Sequence, residues 1–254
     1  EFRRVLFRSR EATPEHPFGY GRSRYVYAFI VSVVLFTVGG VFSVYEGLDK
    51  LSHPHELENV WLPILVLSVA ILLESFSLAT AIRESRKVKG SQSWVQFIRH
   101  AKSPELPVVL LEDVAALLGL VFALTGVGLS VLTGNPIFDA YGTLAIGALL
   151  IVVAVILGLE MGSLLIGEGA QPDEVAAIRK ALLATQGVTA IIHMKTLYVG
   201  PEELMVAAKI GIEADSSGQQ IAAIIDAAET AMREQLKVSL LIYLEPDIVR
   251  TTNA

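Results

Sequence analysis

The stretch LPVVLLEDVAALLGL, residues 106–120, sets two adjacent carboxylates, Glu112 and Asp113, in an otherwise apolar run. Its length and composition suit a helix in lipid, and there each ionised acid costs about 2.5–3.5 kcal/mol on insertion scales. Something must offset that cost. Whether a membrane is involved follows from the rest of the chain: 254 residues, 53% hydrophobic and only 18% charged. Soluble domains carry about 25% charged residues.

Four apolar segments are each long enough to span a bilayer, for which about 20 helical residues suffice. They run from about Tyr25 to Leu48, Val60 to Ile82, Leu106 to Leu132 and Asp139 to Ile166. Glycines such as Gly39, Gly40, Gly126, Gly142 and Gly147 lie inside them, a pattern that marks close helix packing rather than chemistry. The connector from Arg83 to Lys102 holds Arg83, Arg86, Lys87, Lys89, Arg99 and Lys102 against the single acid Glu84. Loops rich in Lys and Arg stay in the cytoplasm. Counting spans from there places Arg22, Arg24 and everything after residue 166 on the same side.

Beyond GEGAQPDE the pattern changes. Pro172 opens an amphipathic helix with Asp173 and Glu174 in its first turn, where the helix dipole favours acids. VTAIIHMKTLYV reads as a strand, GPEE as a turn and LMVAAKIGIEA as a second strand. A helix with Ile221, Ile224, Ile225 and Ala228 on one face follows, and VSLLIYLEPD closes as a strand. The order αββαβ predicts a small α+β, ferredoxin-like domain over 169–254, its helices on one face of an antiparallel sheet. Residues 10–168 form the membrane domain. EFRRVLFRSR begins without a Met and ends abruptly, so residues 1–9 read as a non-native stump.

The remaining acids near the spans are Glu46, Glu74, Asp139 and Glu160. Asp139 follows Asn135-Pro136, and N-capping accounts for it. Glu46 and Glu160 lie near span ends and can reach the interface. Glu74, like Asp113, falls well inside, and both land in the cytoplasmic half of the membrane. Neighbours on a helix point about 100° apart, so Glu112 and Asp113 cannot both face one central site. One binds a cation while the other pairs across a helix or carries a proton; the competing reading is a network of protonated carboxyls. A net charge of −6 argues against a nucleic-acid partner. With no cysteine, thiolate metal sites are excluded. No phosphate-cradling glycine loop or Ser/His/Asp pattern points to an enzyme or an organic cofactor.

HPFGYGRSRY at 16–25, His53-Pro54, the basic loop, KSPELPVVLLEDVAALLGL, TGNPIFDAYGTLAIGALL and the αββαβ domain occur in this order. Together they resemble the cation diffusion facilitators, metal/proton antiporters, and most of all the branch that includes the mitochondrial zinc exporter of animals. The resemblance covers about residues 10–250. It implies six spans, of which these four match the third to sixth, and hence an N-terminally truncated chain lacking half of the transport site. It places Asp113 on the fifth-span aspartate, with Val109 where a His or Asp usually stands one turn earlier. Glu112 or Glu74 would then supply oxygen in place of that ligand.

An all-oxygen site suits Mn²⁺ as well as Zn²⁺, and Fe²⁺ stays open on ligand chemistry alone; the branch favours Zn²⁺ as transported substrate. Protons are the expected counter-ion, because a carboxylate must be deprotonated to bind metal. The resemblance further implies a homodimer through the cytoplasmic domain, and a regulatory metal there that His193 and Glu245 would hold, with Tyr243 at a position that is His in some members. His53 and His55 on the outer loop, and His16 and His100 at cytoplasmic ends, are weaker candidates for metal contact. A bacterial inner membrane is the expected location. The alternative function is a non-transporting membrane-anchored sensor or dimerisation protein using the αββαβ domain, although an anchor does not require acids in mid-span.

Overall fold

The computed structural model of the protein describes residues 12–54 and 61–249. The stump and His55 of the sequence reading lie outside them. Five helices come first: α1 (Ser23–Ser52), α2 (Trp61–Lys89), α3 (Trp94–His100), α4 (Glu105–Thr133) and α5 (Ile137–Ile166). Then follow α6 (Pro172–Ala184), β1 (Ala190–Gly200), β2 (Glu203–Ile212), α7 (Gly218–Gln235) and β3 (Ser239–Ile248). The chain divides into two compact units. One is Tyr25–Gly162; the other joins the residues before Tyr25 to those from Ser163 onward.

In the first unit α1, α2, α4 and α5 have 29 or 30 residues, and all four are long and apolar enough to cross a membrane. A helix of that length reaches about 44 Å, well beyond the ~30 Å hydrocarbon core. Hydropathy marks only the apolar part, so the helices outrun the expected spans. α2 continues through Arg86, Lys87 and Lys89, cations that suit the negative end of a helix. It stops at Gly90, whose φ of 58° takes the left-handed turn that ends many helices. The basic connector also holds an unforeseen helix, α3. Its start is fixed by a capping box in which Ser93 Oγ accepts from the Gln96 amide while the Gln96 side chain accepts from the Ser93 amide.

Glycines set how closely the spans approach. A Cβ on Gly126 of α4 would lie 2.9 Å from the Phe138 carbonyl oxygen and 3.2 Å from Gly142 Cα in α5. On the other side of α5, a Cβ on Gly147 would meet Val44 and the Gly40 carbonyl of α1, while Gly47 abuts Leu144. Phe36, Ala115, Val153, Ala154 and Leu157 fill the core where α1, α4 and α5 meet. Fully buried Tyr25 donates its hydroxyl to the Lys102 carbonyl at 3.0 Å, fastening the base of α1 to the loop before α4. α2 stands differently. Ser85 is its one buried residue, and it exposes Trp61, Leu72, Leu73 and Phe76.

Asn135, not Asp139, caps α5: its Oδ1 accepts from the Ile137 amide at 3.1 Å. Asp139 lies in the first turn and pairs instead with Lys50 of α1 at 2.9 Å. The capping signal and the acid are both present, but the side chain four residues back has the reach that a first-turn residue lacks.

The second unit carries the predicted αββαβ order with strand order β1-β2-β3. The sheet is mixed, not antiparallel as expected: β1 and β2 pair antiparallel, β2 and β3 parallel. The reason is the connection. A two-residue turn reverses the chain between β1 and β2, whereas α7 carries it back so that β3 starts at the same end as β2. Alternation along β2 sends Leu204, Val206, Ala208 and Ile210 into the core against Ile178, Leu182 and Met232. Glu174 serves twice, capping α6 through the Gln171 amide and accepting the Tyr198 hydroxyl at 2.7 Å.

Two outcomes follow from this packing. Gly126→Ala forces backbone atoms apart and is expected to cost about 1–3 kcal/mol of bundle stability. Gly128→Ala, with nothing within 4 Å of the added Cβ, should be neutral; thermal unfolding in detergent compares the two. Burial holds the Glu203 carboxyl above its ordinary 4.5, so the folded domain binds that proton more tightly than the unfolded chain does. Stability is therefore lost as pH rises from below the ordinary carboxyl value. Glu203→Gln should raise the unfolding midpoint at pH 7 by about 2 °C, and the gain should vanish on acidification below the ordinary carboxyl value.

Candidate metal-transport site

α2 and α4 pack side by side and bring the mid-span acids together. Asp113 is turned inward and is only 8% exposed. Ser77 of α2 donates its Oγ–H to Asp113 Oδ2 at 3.2 Å. Glu74 sits one helical turn before Ser77, half-buried, and within electrostatic reach of both Asp113 and Glu112. Glu112 itself points outward and is exposed, as the ~100° step between neighbours requires. Val109, one turn before Asp113, is also exposed. Three carboxylates near one another in an apolar setting repel strongly when ionised, and a bound cation or proton relieves that repulsion.

Asp113 and Glu74 thus share one neighbourhood with Glu112 at its edge, but they do not form a closed ligand cage. Among the described residues, no three of His, Asp and Glu converge closely enough to hold a metal ion. Ser77 is the participant that sequence reading missed. The signal was available in principle: Ser77 is three residues after Glu74 and so on the same helix face. Serines in membrane helices usually bond back to their own helix, as Ser68 and Ser75 do here at 2.7 and 2.6 Å, so the residue type alone gave no reason to single it out.

Three other acids near the span ends have partners of their own. Glu160 pairs with Arg99 of α3 at 3.6 Å. Asp139 bonds Lys50, whose Nζ also donates to Thr143 Oγ1 at 3.2 Å. Asp49 lies 3.3 Å from His53 Nδ1, and His16 lies against Tyr20 with the rings tilted by 60° and centroids 4.6 Å apart.

In the second unit, His193 and Glu245 both line one open cavity, with Ile225 and Glu229 of α7 at its side, but they stand on strands that are not neighbours. Their strands flank β2, with His193 opposite Lys209 and Lys209 opposite Glu245. Lys209 Nζ lies 2.8 Å from Glu245 and 3.1 Å from Asp247. Hydrogen bonds to Glu245 and then Asp247 raise the Lys209 ammonium above its ordinary value.

The sequence matches two family models. The one described as cation efflux transmembrane domain covers residues 5–166, and the one described as cation efflux protein, cytoplasmic domain, covers 170–247. The chain belongs to the cation efflux family and is an integral membrane protein. Proton-coupled zinc antiporter SLC30A9, mitochondrial, of Xenopus laevis is 34% identical over 207 residues, covering 81% of this chain and 37% of that protein. Its Homo sapiens counterpart is 32% identical, with 79% and 36% covered. Metal tolerance protein C4 of Arabidopsis thaliana is 28% identical, with 81% and 45% covered. The chain thus spans less than half the length of the curated relatives it matches. The bacterial inner membrane expected from the sequence finds no support in these names, since the animal relatives are called mitochondrial.

Proposed function

We propose that this chain serves a proton-coupled efflux transporter whose cargo is Zn²⁺, with Asp113 as the carboxylate that carries the ion. The observation that carries the reading is a nearly buried acid within an apolar helix pair, held by one hydroxyl from the neighbouring span. In a static bundle such a group is a liability; in a transporter it is the working part. Protonated, Asp113 is neutral and tolerated among apolar side chains. Ionised, it needs the cation, so metal and proton compete for the same oxygens and exchange follows. Glu74 supplies a second oxygen from across the helix pair, and Glu112 receives the proton at the edge of the site. The zinc in the names of the animal relatives supports the choice of cargo. The cytoplasmic domain joins two copies into a homodimer, in keeping with the short name ZT_dimer that its family model carries.

The test is Zn²⁺ flux driven by a pH gradient in proteoliposomes carrying the full-length gene product. Asp113→Asn should lower flux by about a hundredfold or more, and Ser77→Ala, which frees the Asp113 side chain without removing it, by about tenfold. Ser77→Thr should restore most of that loss. Absence of any proton-driven Zn²⁺ flux from a folded, dimeric protein would sink the proposal and leave the anchored sensor as the better account.

A further inference from the structure

The outer face of the three-stranded sheet, opposite the helices, carries a row of chemistry-bearing side chains. Ala208 and Ile210 of β2 point into the core, so Lys209 between them points out. Met194 and Leu244 pack against the same core, which turns their neighbours His193 and Glu245 outward as well. Asp247, two residues further along β3, shares the face of Glu245. We infer that Lys209 is a tethered cation occupying the place between His193 and the acids of β3 where a regulatory metal would otherwise sit, and that it makes this face of the cytoplasmic domain independent of metal.

Geometry and charge both lead there. Strands lie about 4.8 Å apart, so two rows separate the His193 and Glu245 backbones by about 10 Å. A zinc ion bridging them would need donors at about 2.1 Å, with its centre near the line that the Lys209 side chain follows. The ammonium is already within 2.8 Å of Glu245 and 3.1 Å of Asp247. An incoming divalent ion would have to displace it, losing both ion pairs and meeting a positive charge that the chain cannot remove. Lys209 is the less exposed partner, its side chain 23% accessible against 64% for Glu245 and 30% for Asp247, so the cation is fixed and the acids come to it. On β3, Glu245 and Asp247 stand side by side with like charge. Among the described residues β3 is an edge strand paired to β2 alone, and the ammonium cancels a repulsion that would otherwise fall on that ladder. The inference concerns the cytoplasmic domain alone and holds whichever ion the spans carry.

Amide hydrogen exchange on the whole chain in detergent micelles tests it, following Tyr243, Leu244 and Glu245, with amides of Ile178 and Leu182 as a control for global unfolding. In the wild-type chain, adding zinc chloride or EDTA should leave exchange in β3 unchanged. Lys209→Ala should speed it about fivefold while the α6 control holds, and Lys209→Arg should stay near wild type. Zinc-dependent protection of wild-type β3 that His193→Ala or Glu245→Gln removes would overturn the inference, because a metal would then bind despite the lysine. Exchange in Lys209→Ala no faster than in wild type would overturn it equally, by showing that the ammonium holds nothing in place.

Discussion

The placement of one carboxylate in apolar surroundings governs the rest of this structure. Asp113 is nearly buried between α2 and α4, and the site can exist only if neighbouring elements hold it there. Ser77 binds one of its oxygens. α4 must in turn be fixed against rotation, because a turn of 100° would exchange Asp113 for Glu112. The Gly126–Gly142 contact with α5 provides that fixation through backbone atoms that cannot yield, and Ala115, two residues after Asp113, is locked into the core with Leu157 and Phe36. α5 is then held against α1 by Gly40, Gly47 and Gly147, and at one end by the Lys50–Asp139 pair.

This arrangement divides the bundle by mechanical character. α1, α4 and α5 interlock through small residues and a shared core. α2, which brings Glu74 and Ser77 to the site, shares little of that core and exposes most of its apolar surface. In lipid such exposure carries no penalty, since the hydrocarbon is as apolar as leucine. The helix that brings Glu74 and Ser77 to Asp113 is therefore the one with the fewest packing constraints.

The cytoplasmic domain solves its charge problem in the opposite way. Within the spans, Asp113 is held by the neutral Ser77 hydroxyl, with Glu74 and Glu112 nearby. On the outer sheet face, Glu245 and Asp247 receive a fixed ammonium from the adjacent strand. A neutral hydroxyl faces the carboxylate in the spans, and a tethered cation faces the two acids on the sheet. The same residue types serve both ends, and the neighbouring strand or helix decides which.

Much of this was legible in the sequence because hydropathy and period are local properties. Span number, the αββαβ order, the singular position of Asp113 and the packing role of the glycines all follow from residue type and spacing. Helix ends were less legible, since α2 stays helical into water where hydropathy no longer reports on it. The parallel pairing of β3 follows from the helical connection, which the order contained but which strand pattern alone does not express. What only the tertiary structure decided are the partners across elements. Ser77 meets Asp113, Lys50 takes Asp139, and Lys209 stands between His193 and Glu245. Each pair is separated by 36 residues or more or lies on different strands, and a side chain a few ångströms long meets its partner only after helix rotation and strand register are set by packing elsewhere.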